Sequence, residues 1–168
     1  MRPYVAVCGP SVASEEELAW AEEIGRRLAR AGAVLVCGGL GGVMHAAARG
    51  CEAEGGTSVG ILPREDRRGA SPHLTVAVAT GMGEARNAVI VRTADVVIAI
   101  SGEFGTLSEI ALARKMGKPV VGLRTWELSK AGAPVEALVR VGSPAEAVAR
   151  ALDLAAAAGR PSPPARGR

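Results

Sequence analysis

Asp95-Val-Val-Ile-Ala-Ile-Ser-Gly-Glu-Phe-Gly-Thr-Leu-Ser-Glu109, followed by Ile110-Ala-Leu-Ala-Arg-Lys-Met-Gly-Lys-Pro-Val120, sets the fold class of this chain. The first half is an apolar run without alternation, as expected of a parallel strand covered on both faces. A glycine-containing bend at Ser101-Gly102-Glu103-Phe104-Gly105-Thr106 turns it into a helix expected over Thr106–Met116. Pro119 then opens another strand, up to Leu123. Strand, bend and helix in that order aim backbone N–H groups and a helix N-terminus at one point, which suits an anion such as phosphate.

The same grammar repeats on either side. Tyr4–Cys8 reads as a strand ending in Gly9-Pro10-Ser11, and Ser14 with three following glutamates reads as the cap and acidic first turn of a helix reaching about Ala31. Ala33–Cys37 is a second strand, and Gly38-Gly39-Leu40-Gly41-Gly42 turns it into a helix from Val43 to Glu54. Strands are expected at Thr57–Leu62, Leu74–Ala79 and Ala137–Val141, with helices at Glu84–Arg92 and Pro144–Ala157. Strands alternating with helices define an α/β fold: a single-domain, doubly wound, Rossmann-like and mostly parallel sheet with helices on both faces. The domain is expected over residues 1–158, as a nucleotide-binding unit, with a disordered Pro/Arg tail at 159–168. Ligands of such sheets sit beyond the carboxyl ends of the strands, so the bends at Gly9–Ser11, Gly38–Gly42 and Ser101–Thr106 are expected to converge there.

Bulk properties narrow the function. The 168 residues are 48% hydrophobic and 22% charged, ordinary values for a globular protein. Aromatic residues are only 2%, too few for the stacking platforms of single-stranded nucleic-acid modules, and a net charge of +3 demands no polyanion. No apolar run is long enough to span a bilayer and no signal-peptide pattern opens the chain, so a cytoplasmic protein without membrane or nucleic-acid partners is expected. Cys8, Cys37 and Cys51 form no ligand spacing and read as reduced, buried thiols. No metal cluster and no Ser-His-Asp set is legible.

The candidate site residues follow from the bends. The glycines at 38, 39, 41 and 42 permit a tight turn or a close ligand approach; their spacing fits neither the dinucleotide fingerprint nor a P-loop. Gly102 and Gly105 permit the second bend, and the Thr106 hydroxyl either caps the helix or donates to an anion. Glu109, three residues on, has the spacing of a capping box as well as the reach of a ligand carboxylate. Arg86 stands near a helix start, where a cation is unfavourable unless an anion is present. Asn87 is suited to a ligand base or sugar, or to the backbone. His45, in the first turn of its helix, could reach the strand ends. Glu103 adds negative charge where a phosphate would be expected to sit.

Gly38-Gly39, Gly41-Gly42-Val-Met44, Arg86-Asn87, Gly105-Thr-Leu-Ser-Glu109 and Gly117-Lys-Pro119 together resemble the LOG-like (SLOG) superfamily. This superfamily includes cytokinin-activating phosphoribohydrolases, proteins labelled possible lysine decarboxylases, and molybdenum-cofactor carriers. The resemblance covers about Tyr4 to Val141 and implies a small phosphorylated ligand, a nucleoside monophosphate or molybdopterin, with no cofactor required. It implies catalytic roles for Arg86 and Glu109 in cleaving an N-glycosidic bond to free base and ribose 5-phosphate, or, alternatively, non-catalytic carriage of the molybdenum cofactor. Gly9, Ser11, Gly38, Gly39, Gly41, Gly42, Met44, Asn87, Ser101, Gly102, Gly105 and Thr106 would hold the ligand. A homodimer or higher homo-oligomer is also implied. Two departures stand out: the hydrolases' Pro-Gly-Gly is Ser101-Gly102-Glu103 here, and their Arg-Lys is Arg86-Asn87. Pyridoxal chemistry is not supported, since no lysine has the setting of a Schiff base.

Overall fold

The computed structural model describes residues 2–158, and the expected tail at 159–168 lies outside the described residues. Seven parallel strands form one sheet in the order β4-β3-β2-β1-β5-β6-β9. They are β1 (Tyr4–Cys8), β2 (Val34–Cys37), β3 (Thr57–Leu62), β4 (Val76–Ala79), β5 (Val96–Ile100), β6 (Val120–Leu123) and β9 (Val139–Val141). Every β5 residue is buried, which is why that run carries no alternation. The helices are α1 (Glu15–Arg30), α2 (Val43–Ala53), α3 (Asn87–Thr93), α4 (Phe104–Lys115) and α5 (Pro144–Ala158).

The helices divide between the two faces. Ile24 and Leu28 of α1, Val43 and Ala47 of α2, and Ala147 and Ala151 of α5 pack on Val5, Val7, Leu35 and Ile98. On the other face, Ile90 and Val91 of α3 and Ile110 and Ala113 of α4 pack on Ala6, Cys8, Val36, Val97 and Ala99. Alternate residues of β1 and β5 therefore serve opposite cores. Cys8 points toward α4, and Cys37 toward α2.

Local chemistry explains most boundaries. Ser14 forms a full capping box: its backbone N–H donates to Glu17 Oε2 at 2.8 Å, and Glu17 N–H donates to Ser14 Oγ at 3.3 Å. Ser143 caps α5, accepting from the Glu146 N–H at 3.2 Å.

Most boundaries fall within a residue or two of the sequence expectation, and four larger departures stand out. The fourth strand starts at Val76, because Leu74 turns inward over Gly39 and Gly60. The helix expected at Glu84–Arg92 is a 3₁₀ turn, Gly83–Arg86, running into α3. The fourth helix begins at Phe104 with Glu103 at its cap position, so Thr106 lies inside the first turn and does not cap it. An unexpected antiparallel hairpin, β7 (Leu128–Lys130) with β8 (Ala133–Val135), precedes β9, which starts at Val139. Pro134 and the absence of an alternating apolar pattern hide that hairpin from a sequence reading.

Candidate functional site

Strand order reverses between β1 and β5, and there a cleft of about 650 Å³ opens beyond the strand ends. Five chain segments wall it: the loop after β1, the glycine turn after β2, Pro63 after β3, the 3₁₀ turn before α3, and the start of α4. Of the expected residues, Gly9, Ser11, Gly38, Met44, Arg86, Asn87, Gly105, Thr106 and Glu109 line this one cleft. The three bends do converge.

Arg86 and Glu109 form its polar centre. The Arg86 guanidinium lies against Gly38, where a Cβ would run into Nη1 and come within 2.6 Å of Met44 Sδ. Its Nε is buried without a hydrogen-bond partner among the described residues. A buried donor left unsatisfied is costly, so a ligand acceptor at this edge would be strongly favoured. Glu109 is 7% exposed, and it cannot be a capping-box carboxylate because α4 starts at Phe104 with Glu103 at its cap position, which makes Thr106 the third helical residue. Burial pushes its carboxyl up from the ordinary 4.5 to about 7, against the opposing pull of a hydrogen bond to the Cys8 thiol and the positive charge of Arg86. Burial, then the charge and hydrogen bond of Glu109, holds the Cys8 thiol well above the usual range. The site therefore has a cation with a buried, unpartnered donor beside a carboxyl whose pKa is raised to about 7.

The N-terminus of α4 supplies further donors. No side chain among the described residues caps this helix, and Gly105 and Thr106 of its first turn line the cleft. Asn87 fastens that turn: its Nδ2 donates to Ser108 Oγ at 3.0 Å, and Ser108 Oγ donates to Gly105 O at 2.7 Å.

Five expected residues do not reach the cleft. At Gly102, φ is 107°, and a Cβ there would collide with the Thr106 side chain, so the bend is sealed from within by Thr106. Ser101, at φ 48°, turns away: its hydroxyl bond to Glu17 is the leading cause holding that carboxyl below its ordinary range. The Ser101 carbonyl accepts from Thr125 Oγ1. Gly42 adopts φ 59° with the Pro10 and Ser11 carbonyl oxygens pressed against it, and Val43 N–H donates to Pro10 O at 3.1 Å. Gly41 packs near Ser11 O, and Gly39 accepts from Ser71 N–H at 2.9 Å. Most of this turn's glycines thus serve loop packing. Gly38 alone among them lines the cleft, where its missing side chain leaves room for the Arg86 guanidinium.

His45 lies outside as well. Its Nδ1 meets Ser71 Oγ at 3.1 Å, and its ring stands edge-on to His73, centroids 4.8 Å apart. Burial, followed by His73 and Arg49, lowers its pKa. Cys8 and Glu84, both lining the cleft, escaped the sequence reading. Cys8 ends an apolar strand and looks like core; only the final position of that strand hinted otherwise.

A parallel sheet with a cleft at its switch point, lined by Arg86, Glu109 and the start of α4, defines a Rossmann-like α/β protein. The chain belongs to the SLOG cluster4 family, whose model matches residues 2–148. An uncharacterised protein of Archaeoglobus fulgidus is 42% identical over 120 residues, 71% of this chain and 79% of that one. Among solved structures, the molybdenum cofactor binding protein of Rippkaea orientalis is 32% identical with a TM-score of 0.80, over 91% of this chain and 96% of its own. The molybdenum cofactor carrier protein of Chlamydomonas reinhardtii is also 32% identical at TM-score 0.80, over 93% and 99%.

Proposed function

We propose that the cleft binds a small phosphorylated, ring-bearing ligand and that the protein acts as a carrier of the molybdenum cofactor. The carrying observation is the buried, unpartnered Arg86 Nε in the cleft that also holds the start of α4, a donor that a phosphate oxygen would satisfy. Leu40, Met44, Val12 and Pro63 offer apolar wall for the ring system. The chemistry of the cofactor's metal would belong to the cargo; this chain's own residues bind and orient. Near-full similarity in length to two cofactor-handling proteins supports the carrier role. So does Glu109, whose burial raises its pKa to about 7, so that it repels an anion less than an ordinary carboxylate would.

The test is to purify the protein from molybdate-replete cells and assay bound pterin by fluorescence and molybdenum by elemental analysis. Stoichiometric pterin that is lost in Arg86→Ala supports carriage. Protein free of pterin that also fails to take up added cofactor overturns it.

A second reading, phosphoribohydrolase activity, is favoured by the presence of Arg86 and Glu109 in one cleft. The arginine would hold the phosphate end, while Glu109, when ionised, would stabilise the oxocarbenium character that develops as the C–N bond breaks. Incubation with a panel of nucleoside monophosphates, assayed for free base, decides it. Release abolished by Glu109→Ala supports hydrolysis, and no release from any nucleotide excludes it.

A further inference from the structure

We infer that Asn87 selects the ligand by holding a fixed hydrogen-bond acceptor beside the phosphate, which only a hydroxyl or amine on the ligand can satisfy. The inference rests on the anion reading of the cleft given above and names the group next to that anion.

Proton counting fixes the amide. Ser108 Oγ has one hydrogen, and it goes to Gly105 O at 2.7 Å. Toward Asn87, at 3.0 Å, the same oxygen can only accept, so Asn87 must turn Nδ2 to it. The usual ambiguity between amide nitrogen and oxygen is thereby removed. Oδ1 is left with no protein partner among the described residues, on a side chain that lines the cleft.

Position then sets what Oδ1 can meet. Asn87 follows Arg86 directly and is tied to the first turn of α4, so its acceptor stands at the anion end of the cleft. A carbonyl oxygen repels phosphate oxygens and cannot be part of their cradle. A hydroxyl or amine a few bonds from the phosphate would meet it, and a ligand lacking one leaves it unpaired when water is excluded. A lysine at this position, as in the hydrolases that the sequence resembles, would instead add a donor for the anion.

Calorimetric titration of the full chain with adenosine 5′-monophosphate, its 2′,3′-dideoxy counterpart and inorganic phosphate tests this. The hydroxylated nucleotide is expected to bind about tenfold more tightly than the dideoxy form. Asn87→Leu should bring the two to parity, read as the ratio of the two affinities so that any loosening of the α4 first turn, which both ligands share, cancels. Ser108→Ala, at an exposed position that keeps Asn87 but frees its amide to rotate, should narrow the gap and carries the test if Asn87→Leu folds poorly. Equal affinities in the unaltered protein, or a gap that survives Asn87→Leu, or survives Ser108→Ala where Asn87→Leu does not fold, overturn the inference and leave the anion site standing. Failure of phosphate and both nucleotides to bind overturns the anion site itself, and this inference with it.

Discussion

The Arg86 guanidinium fills the space that a side chain at residue 38 would need, so Gly38 and Arg86, 48 positions apart, share one volume. The neighbour that must yield is the tip of a flexible side chain. Gly38→Ala is therefore expected to cost little stability, within about 1 kcal/mol, while displacing the guanidinium from the cleft. Phosphate titration alongside a thermal melt checks this: binding should weaken by about tenfold with a nearly unchanged Tm. Unchanged phosphate affinity would mean that Arg86 is not the anion contact.

Glu109 makes stability fall with rising pH. Its folded-state pKa is raised from 4.5 to about 7, so between those values the folded protein holds a proton that the unfolded chain gives up. The contribution is complete below pH 4.5, declines through the window, and is gone above pH 7. The shift corresponds to something on the order of 3 kcal/mol. Urea melts between pH 4.5 and 8 should show this slope, and Glu109→Gln should flatten it and be the more stable protein at pH 8.

The hairpin turn is suboptimal. Ala131 and Gly132 link β7 to β8 with φ of 51° and 81°, the two left-handed residues of a type I′ turn. Alanine is strained there, whereas asparagine tolerates the conformation. Ala131→Asn should stabilise the hairpin by about 0.5–1 kcal/mol. Hydrogen exchange at Leu128–Val135 should slow correspondingly, and faster exchange would contradict the assignment.

Close contact between α1 and α2 depends on Gly25 and Gly50. A Cβ at Gly25 would run into the Ala47 carbonyl oxygen, and one at Gly50 into that of Glu22. Both obstacles are backbone and cannot swing aside. Gly25→Ala should therefore destabilise by about 3 kcal/mol or more, seen as a lowered urea midpoint, with the cleft residues unchanged.

The parallel sheet was legible because buried parallel strands announce themselves as unbroken apolar runs. Arg86 and Glu109 were legible for a different reason: each sits awkwardly in its local setting, a cation at a helix start and a carboxylate on an apolar helix. What could not be read was the direction of the loop side chains. Ser101 and Gly102 look like a phosphate bend in sequence, yet the positive φ at Ser101 swings its hydroxyl to Glu17, and Thr106 folds back over Gly102. Cys8 was invisible as a site residue because its partner lies 101 positions away on another element, and pairing across a sheet leaves no local pattern. Of the β7–β8 hairpin only Leu128 packs against the core, so no hydrophobic period recorded it.

All three native thiols are buried, with Cys37 pushed up to about 12 and Cys51 to about 11, so none reacts readily with an alkylating dye in the folded protein. Phe104, 75% exposed and set in the chain between the cleft-lining residues Glu103 and Gly105, is thus a natural place for a single engineered reporter. A fluorophore attached through Phe104→Cys would sit beside those residues and turn occupancy of the cleft into an optical signal, without first removing any cysteine of the parent chain.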